Sequence, residues 1–250
     1  MRLLIPLLLA LLLPSAGISA TSLANARKAQ AMLGPETWTR VIEITNTSAT
    51  ATYPAIVTAL VFEEGGLLWF YTDGEGTQSL SLYSNRLAQE KENLGELLRA
   101  IDAGFTRFTV VPDRLTEPAW VRGDSVPNGC FIESIAAMRT RILLGETIER
   151  PRLLSCYALT RKGLRGHTVL TYHTPSGFFL LDPTHSARPK LMPEKWMENP
   201  VALAGVALEG AKVLKARWVA LDLPALSTLV TMNPSSPTLS AESTASRLMQ

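Results

Sequence analysis

Cysteine is scarce in this sequence, with Cys130 and Cys156 as its two cysteines among 250 residues. Disulfide scaffolds are dense in cysteine and usually small, so this scarcity excludes a fold held together mainly by disulfides. A single Cys130–Cys156 bridge remains open. It would suit a binding module without catalytic activity, which is the alternative to the functional hypothesis that follows.

An excess of charge of either sign is also missing, since 24 basic residues face 22 acidic ones. Such a balance gives no electrostatic footprint for nucleic acid or for an anionic membrane surface, so we expect neither as a partner. Histidine is scarce too, with three residues. These lack the short paired spacings typical of zinc ligands, and we expect no metal and no cofactor.

Long apolar stretches are missing except at the N terminus, where Arg2 precedes an apolar run over residues 3–13 and then small residues. This order is typical of a secretory signal peptide. A run of about eleven residues is too short for a transmembrane helix, which needs about 20. We expect residues 1–20 to be removed, with cleavage as late as residue 26 as an alternative. The mature protein would be exported, periplasmic or secreted, without membrane insertion.

Residues 27–118 are interpreted as a β-rich portion with one helix. Short runs of β-branched and aromatic residues alternate there with glycine-rich turns. The predicted strands cover residues 41–44, 56–62, 67–71, 77–82 and 107–111. Leucines along residues 87–101 share one face, which predicts an amphipathic helix packed on that sheet.

Within this portion, residues 68–72 (LWFYT) resemble one hairpin of the flavin-binding split barrels of the pyridoxamine-phosphate oxidase type. That resemblance would imply a bound flavin. The phosphate of a flavin needs basic ligands, and Arg86 is the one basic residue that lies nearby. We therefore interpret the segment as part of a structural sheet.

Residues 119–224 are interpreted as a second portion, with one helix that begins near Cys130 and has Gly145 at its C-terminal cap. Apolar residues along it predict a buried stripe. Strands are predicted at 153–159, 168–173 and 178–181, followed by a helix at 201–214 and a strand at 216–223. Residues 225–250 are mostly Ser, Thr, Pro and Ala, which predicts a disordered tail.

Cys130 stands at the predicted start of this helix, directly after Gly129. Unpaired backbone N–H groups and the helix dipole favour a thiolate at such a position. The same N–H groups could stabilise an oxyanion when the sulfur attacks an acyl carbon. The pattern indicates a cysteine nucleophile, whereas Cys156 lies in an apolar strand and is expected to be a buried thiol.

A cysteine nucleophile also needs a base, and imidazole suits that role near neutral pH. His167 opens a predicted strand, and a two-residue turn at 175–176 leads into the next one. That turn pairs residues whose numbers sum to 351, which places Asp182 opposite Val169 and diagonal to His167. Diagonal neighbours on one face lie within reach of long side chains. The hairpin therefore predicts an Asp182–His167 contact that fixes the imidazole tautomer.

Three short motifs together resemble the core of the transglutaminase-like cysteine enzymes of the papain-like superfamily. These are Gly129-Cys130 at a helix start, Gly166-His167 at a strand start and Asp182-Pro183-Thr184 after the next strand. The spacing of 37 residues from cysteine to histidine and 15 from histidine to aspartate suits that superfamily. The resemblance spans residues 128–184 and implies an α+β fold with a papain-like core, in which the cysteine helix packs on an antiparallel sheet.

The same resemblance implies roles for individual residues. Cys130 would be the nucleophile, His167 the general base and acid, and Asp182 the residue that orients it. The family's oxyanion donor upstream of the cysteine would be Trp120 or Asn128. The expected function is that of an exported acyl transferase or amidase, most similar to bacterial transglutaminase-like cysteine peptidases, with a peptide or protein amide as its substrate.

Overall fold

The computed structural model describes residues 23–50, 52–81, 84–113, 125–161, 163–186, 188–209 and 211–223. Within these ranges the protein has the expected α+β class, with two five-stranded antiparallel sheets and five α-helices. Trp120, the predicted signal peptide and the predicted tail lie outside the described residues. None of the described helices has the length and apolarity needed to cross a bilayer.

The first sheet contains the predicted N-terminal strands. Its strands are β1 (Thr39–Asn46), β2 (Ile56–Glu64), β3 (Leu67–Thr72), β4 (Gly76–Ser79) and β5 (Phe105–Val110), in the order β4-β3-β2-β1-β5. A two-residue turn joins β2 and β3, with φ of 60° at Gly65 and 71° at Gly66. Such left-handed turns match the twist of a hairpin, which explains the glycine pair. Residues 68–72 are buried in β3, so this segment contributes to the core.

The amphipathic helix predicted over residues 87–101 is two helices, and the prediction of one continuous helix was wrong. They are α2 (Leu87–Glu92) and α3 (Leu94–Ile101). Asn93 separates them with φ −101° and ψ 27°, and its carbonyl accepts hydrogen bonds from the N–H groups of Glu96 and Leu97. Asn93 and the nearby Gly95 are both weak helix formers, so interrupting the helix at Asn93 costs little free energy.

A helix that the sequence did not lead us to expect, α1 (Leu23–Leu33), precedes the first sheet. Its buried side includes Ala26, Ala29 and Met32 and packs against β2 and the helix that carries Cys130. The apolar stripe was missed because it consists largely of alanine, which contributes little to an amphipathic pattern.

The second sheet has the order β10-β6-β7-β8-β9. Its strands are β6 (Glu149–Thr160), β7 (Gly163–Thr174), β8 (Gly177–Leu181), β9 (Lys190–Met192) and β10 (Lys212–Ala220). In the β7–β8 hairpin, Leu170 pairs with Leu181 and Thr171 with Leu180. These numbers sum to 351, so the predicted register is confirmed.

Two further helices accompany this sheet, α4 (Cys130–Leu143) and α5 (Pro200–Ala207). The start of α4 agrees with the prediction. The helix predicted over 201–214 was too long, because Leu208 leaves helical geometry at φ −110° and ψ 64°. Residues 212–214 instead belong to β10, where Lys212 pairs with Leu159 of β6.

The two sheets share one hydrophobic core around α4. Phe131, the second residue of α4, lies 4.5 Å from the Trp69 ring and 6.2 Å from the Phe62 ring, both in the first sheet. On its other side α4 contacts β7 of the second sheet. The start of α4 is therefore fixed between the sheets, which sets the position of Cys130.

Candidate active site

Cys130 is the first residue of α4 and is partly exposed. Gly129 precedes it without a side-chain cap, and a Cβ atom there would lie 2.3 Å from the Val126 side chain and 2.9 Å from its carbonyl oxygen. The first intrahelical bond runs from the Glu133 N–H to the Gly129 carbonyl. The N–H groups before it have no acceptor within the helix, so the helix presents donors beside the sulfur.

The loop before α4 is anchored to the first sheet. Tyr71 Oη donates a hydrogen bond of 2.7 Å to the Pro127 carbonyl. The Asn128 side-chain amide donates to the carbonyls of Asp73 and Gly74, at 2.6 and 3.0 Å, and Asn128 adopts φ 51°. Both amide N–H groups of Asn128 are thereby engaged, so its side chain serves to hold the loop.

His167 lies in β7, directly opposite Cys156 of β6, and is buried. Its strand begins at Gly163, five residues before the start of the strand predicted over residues 168–173. The ring Nε2 donates a hydrogen bond of 2.7 Å to Asp182 Oδ2. The Cys130 side chain lies close to the imidazole, near enough to raise its pKa. Because Nε2 is occupied by Asp182, Nδ1 is the nitrogen available to the sulfur.

Asp182 directly follows β8 and is held by a short turn. Its Oδ1 accepts a hydrogen bond of 3.2 Å from the Thr184 N–H, and its carbonyl accepts from the N–H groups of His185 and Ser186. Its Oδ2 accepts a second hydrogen bond, of 2.9 Å, from His185 Nδ1. One oxygen of the carboxylate thus accepts hydrogen bonds from two histidines, which restricts rotation of the Asp182 side chain. The structure brings Cys130, His167 and Asp182 together at one site, with a hydrogen bond between His167 and Asp182.

The pKa values of this group follow from burial and charge. Burial of the His167 ring opposes its charged form, but the hydrogen bond to Asp182 and the charges of Asp182 and Cys130 outweigh that effect and raise its pKa to about 9. Burial also acts to raise the pKa of Asp182, yet its bonds to His167 and His185 lower it below the ordinary value of 3.8. The raised pKa of His167 and the lowered pKa of Asp182 both favour an ionised aspartate beside an imidazolium.

The two cysteines differ in environment, and both are free thiols. Cys156 is 4% exposed in β6, and burial, followed by the charge of Cys130, raises its pKa to about 11. A thiol of this kind stays protonated at neutral pH and is a poor nucleophile.

Two residues near the site were not assigned roles from the sequence. His185 is largely exposed and meets the His167 ring edge to face, at 5.4 Å between centroids. Glu133, in the first turn of α4, accepts hydrogen bonds from the Val126 N–H at 3.2 Å and from Thr184 Oγ1 at 3.3 Å. Glu133 therefore links the cysteine helix to the turn that carries Asp182. Both contacts depend on turn geometry, for which the sequence carries no periodic signal.

One set of side chains in the described ranges could also hold a metal ion. The ligand atoms of His167, Asp182 and His185 all lie within 4.8 Å of one another. Two imidazoles and a carboxylate are a donor set that zinc accepts. In the structure these atoms are hydrogen-bonded to each other, so an ion would have to replace both histidine–aspartate bonds.

The Cys130–His167 pair opens into a cleft of about 340 Å³ between the two sheets. One wall contains residues 74–78 of the β3–β4 turn and β4, and the other contains residues 155–157 and 164–168 of the β6–β7 hairpin. A larger cavity of about 440 Å³ lies elsewhere, beside Glu36 and Trp38, and holds neither a thiol nor a histidine. The smaller cleft is therefore the candidate active site.

Comparison of this chain with protein-family models, with curated proteins and with solved structures finds no match.

Proposed function

We propose that this protein is a cysteine-dependent acyl transferase or amidase that hydrolyses a peptide or isopeptide amide through Cys130, His167 and Asp182. The observation that carries the proposal is the buried hydrogen bond between His167 and Asp182 with the Cys130 side chain beside the imidazole, at a helix N terminus and next to a cleft. The cysteine helix packed on an antiparallel sheet supports the further proposal of a papain-like, transglutaminase-like core.

In the first step, the proton of the Cys130 thiol resides on His167 and the sulfur attacks the amide carbonyl carbon. A C–S bond forms, and negative charge develops on the carbonyl oxygen. The N–H groups of the first turn of α4 are placed to receive that charge. Asp182 stabilises the imidazolium and keeps its ring in place.

In the second step, the C–N bond breaks and His167 gives its proton to the leaving amine, which leaves an acyl-thioester on Cys130. A water molecule then attacks this thioester and passes a proton to His167. The C–S bond breaks, the carboxylic acid is released and the sulfur regains its starting state. An amine in place of water would give transfer, and we propose water because the cleft is open to solvent.

Selective alkylation tests this proposal without knowledge of the substrate. Iodoacetamide at pH 6 should modify Cys130 at least about tenfold faster than Cys156, because Cys156 is buried and protonated. Peptide mass spectrometry after timed quenching measures both rates in the same sample. A His167→Ala variant should lose the fast reaction at Cys130.

His173→Ala is the matched control, because His173 lies in the same strand and pairs with a carboxylate, Glu194, at 3.2 Å without a cysteine nearby. It should leave the rate at Cys130 unchanged. Equal and slow alkylation of both cysteines would contradict the proposal. An intact Cys130–Cys156 disulfide in protein purified without reductant would instead support the non-catalytic binding module.

A further inference from the structure

The cleft beside Cys130 has walls from both sheets. Its β4 wall belongs to the first sheet, outside residues 128–184 that carry the catalytic group. Its hairpin wall belongs to β6 and β7 of the second sheet. A substrate that reaches Cys130 must pass between these walls, so their chemistry determines what binds.

The β4 wall offers backbone hydrogen bonds. β4 is an edge strand, paired with β3 on one side, and no described strand pairs with its other side. Unpaired edge groups readily accept an extended chain as an additional strand. Thr77 of β4 lines the cleft, and its hydroxyl oxygen is buried without a hydrogen-bond partner among the described residues. A buried polar atom of this kind needs a partner, which a bound peptide group would supply.

The hairpin wall carries an apolar shelf formed by Tyr157 and Leu164. Tyr157 pairs with Gly166, so Leu164 is its diagonal neighbour on the same face of the sheet. Both line the cleft, yet Tyr157 is 53% and Leu164 is 61% exposed. Gly166 between them adds no side chain, and a Cβ there would already lie 3.5 Å from the Tyr157 ring. The shelf is therefore open above Gly166 and available to an apolar group.

We propose that the substrate is a peptide bound in an extended conformation along β4, and that the apolar shelf selects an apolar side chain close to the bond that is cleaved. This inference rests on the proposed function. It gives the first sheet a role in substrate recognition in addition to its role in the core. A cleft of about 340 Å³ suits a short stretch of peptide, with the rest of the chain outside it.

Dipeptidyl chloromethyl ketones test the proposal on the full mature chain. The Cys130 sulfur displaces chloride from the chloromethyl carbon, and a stable C–S bond forms that mass spectrometry detects. We expect probes with Leu or Phe to inactivate Cys130 at least about tenfold faster than probes with Ser or Asp, the range for an apolar side chain in an apolar site.

The double variant Tyr157→Ser and Leu164→Ser should reduce that preference to about threefold or less. The Leu and Phe probes should bind it more weakly, while their limiting rate of inactivation stays unchanged. Its matched control is Leu191→Ser with Leu214→Ser, because these residues are 63% and 53% exposed but do not line the cleft. The control should keep the full preference. Thr77→Val should weaken binding of every probe, whereas Thr77→Ser should not.

Iodoacetamide separates the failure of this inference from that of the proposed function. If alkylation of Cys130 depends on His167 but the probes show no preference for apolar residues, or the shelf variants keep it, the shelf proposal is wrong. If Thr77→Val binds every probe as well as the wild type, docking along β4 is wrong. If alkylation does not depend on His167, the proposed function itself fails.

Discussion

At the scale of single residues, Asp182 occupies an unusual position because one of its oxygens accepts hydrogen bonds from two histidines. His167 is buried and lies beside Cys130, whereas His185 is largely exposed. A hydrogen bond to a charged group is worth more in a buried site than at an exposed one. The two histidines should therefore contribute very differently to the reactivity of Cys130.

Substitutions at Asp182 and His185 test this difference. Asp182→Asn keeps the size of the side chain but removes the charge that stabilises the His167 imidazolium, so alkylation of Cys130 should slow by about tenfold or more. His185→Ala removes an exposed hydrogen bond and should change the rate by about threefold or less. Rates of iodoacetamide modification at pH 6 measure both. A larger effect for His185→Ala than for Asp182→Asn would contradict the assignment.

The meeting of His167 and Asp182 was predictable because a two-residue turn fixes the register of a hairpin. Three features were not predictable. These are which nitrogen of the His167 ring bonds to Asp182, the second bond to Asp182 from His185, and the role of Asn128. Asn128 was a candidate oxyanion donor from its place before Cys130, but its amide bonds to the backbone of the β3–β4 turn. That turn is 54 residues away in sequence, and no local pattern reports such a contact.

At the scale of elements, the strands were predicted well because alternation of buried and exposed residues is a local property. The larger errors concern helices, although the short strand β9 (Lys190–Met192) was also not predicted. The helix predicted over residues 87–101 is interrupted at Asn93, and the helix predicted over 201–214 ends at Ala207 before β10 begins. The helix α1 was not expected. In each case, contacts with distant residues or a buried alanine stripe determine the structure, and propensity is a weak guide.

The position of α1 gives a prediction about export. Ala26 and Ala29 are fully buried in α1, so cleavage after residue 26 would remove part of a helix that packs on the core. If the N-terminal residues act as the proposed signal peptide, cleavage should follow Ala20. Intact-mass measurement of the protein after expression in a secreting host should then give a chain that begins at Thr21. A chain that begins at Arg27 would contradict this prediction.

At the scale of the whole molecule, a buried ionic group joins the two sheets behind α4. Arg139 of α4 contacts Glu64 at the end of β2, at 3.2 Å, and Glu36 before β1, at 3.3 Å. Glu64 Oε1 also accepts a hydrogen bond of 2.8 Å from the N–H of Asp222, which follows β10. Burial raises the pKa of Glu64 from 4.5 to about 7, although Arg139 acts to lower it.

This shift predicts how stability depends on pH. A folded carboxyl with a raised pKa binds a proton more tightly than the unfolded one, so the free energy of unfolding falls as pH rises from about 4.5 through about 7, by about 3 kcal/mol. The raised pKa of His167 adds a second fall from about 6.5 through about 9. Urea unfolding across this pH range measures both.

Glu64→Gln should remove the first fall and leave the second. Glu63→Gln is the control. Glu63 is the residue before Glu64, but the Glu63 carboxylate is partly exposed and paired with Lys91. This variant should keep the same pH dependence as the wild type. A wild-type free energy of unfolding that rises between pH 4.5 and 7 would show that Glu64 is not the dominant buried acid.

We propose above all that Cys130 and His167 act as a coupled pair supported by Asp182. An NMR titration with ¹⁵N-labelled histidine follows the protonation of the His167 ring directly. The wild-type ring should titrate near pH 9, and its pKa should fall in Cys130→Ser and in Asp182→Asn, because each variant removes a group that raises it. A His167 ring that titrates near 6.5 in the wild type and in both variants would contradict the claim.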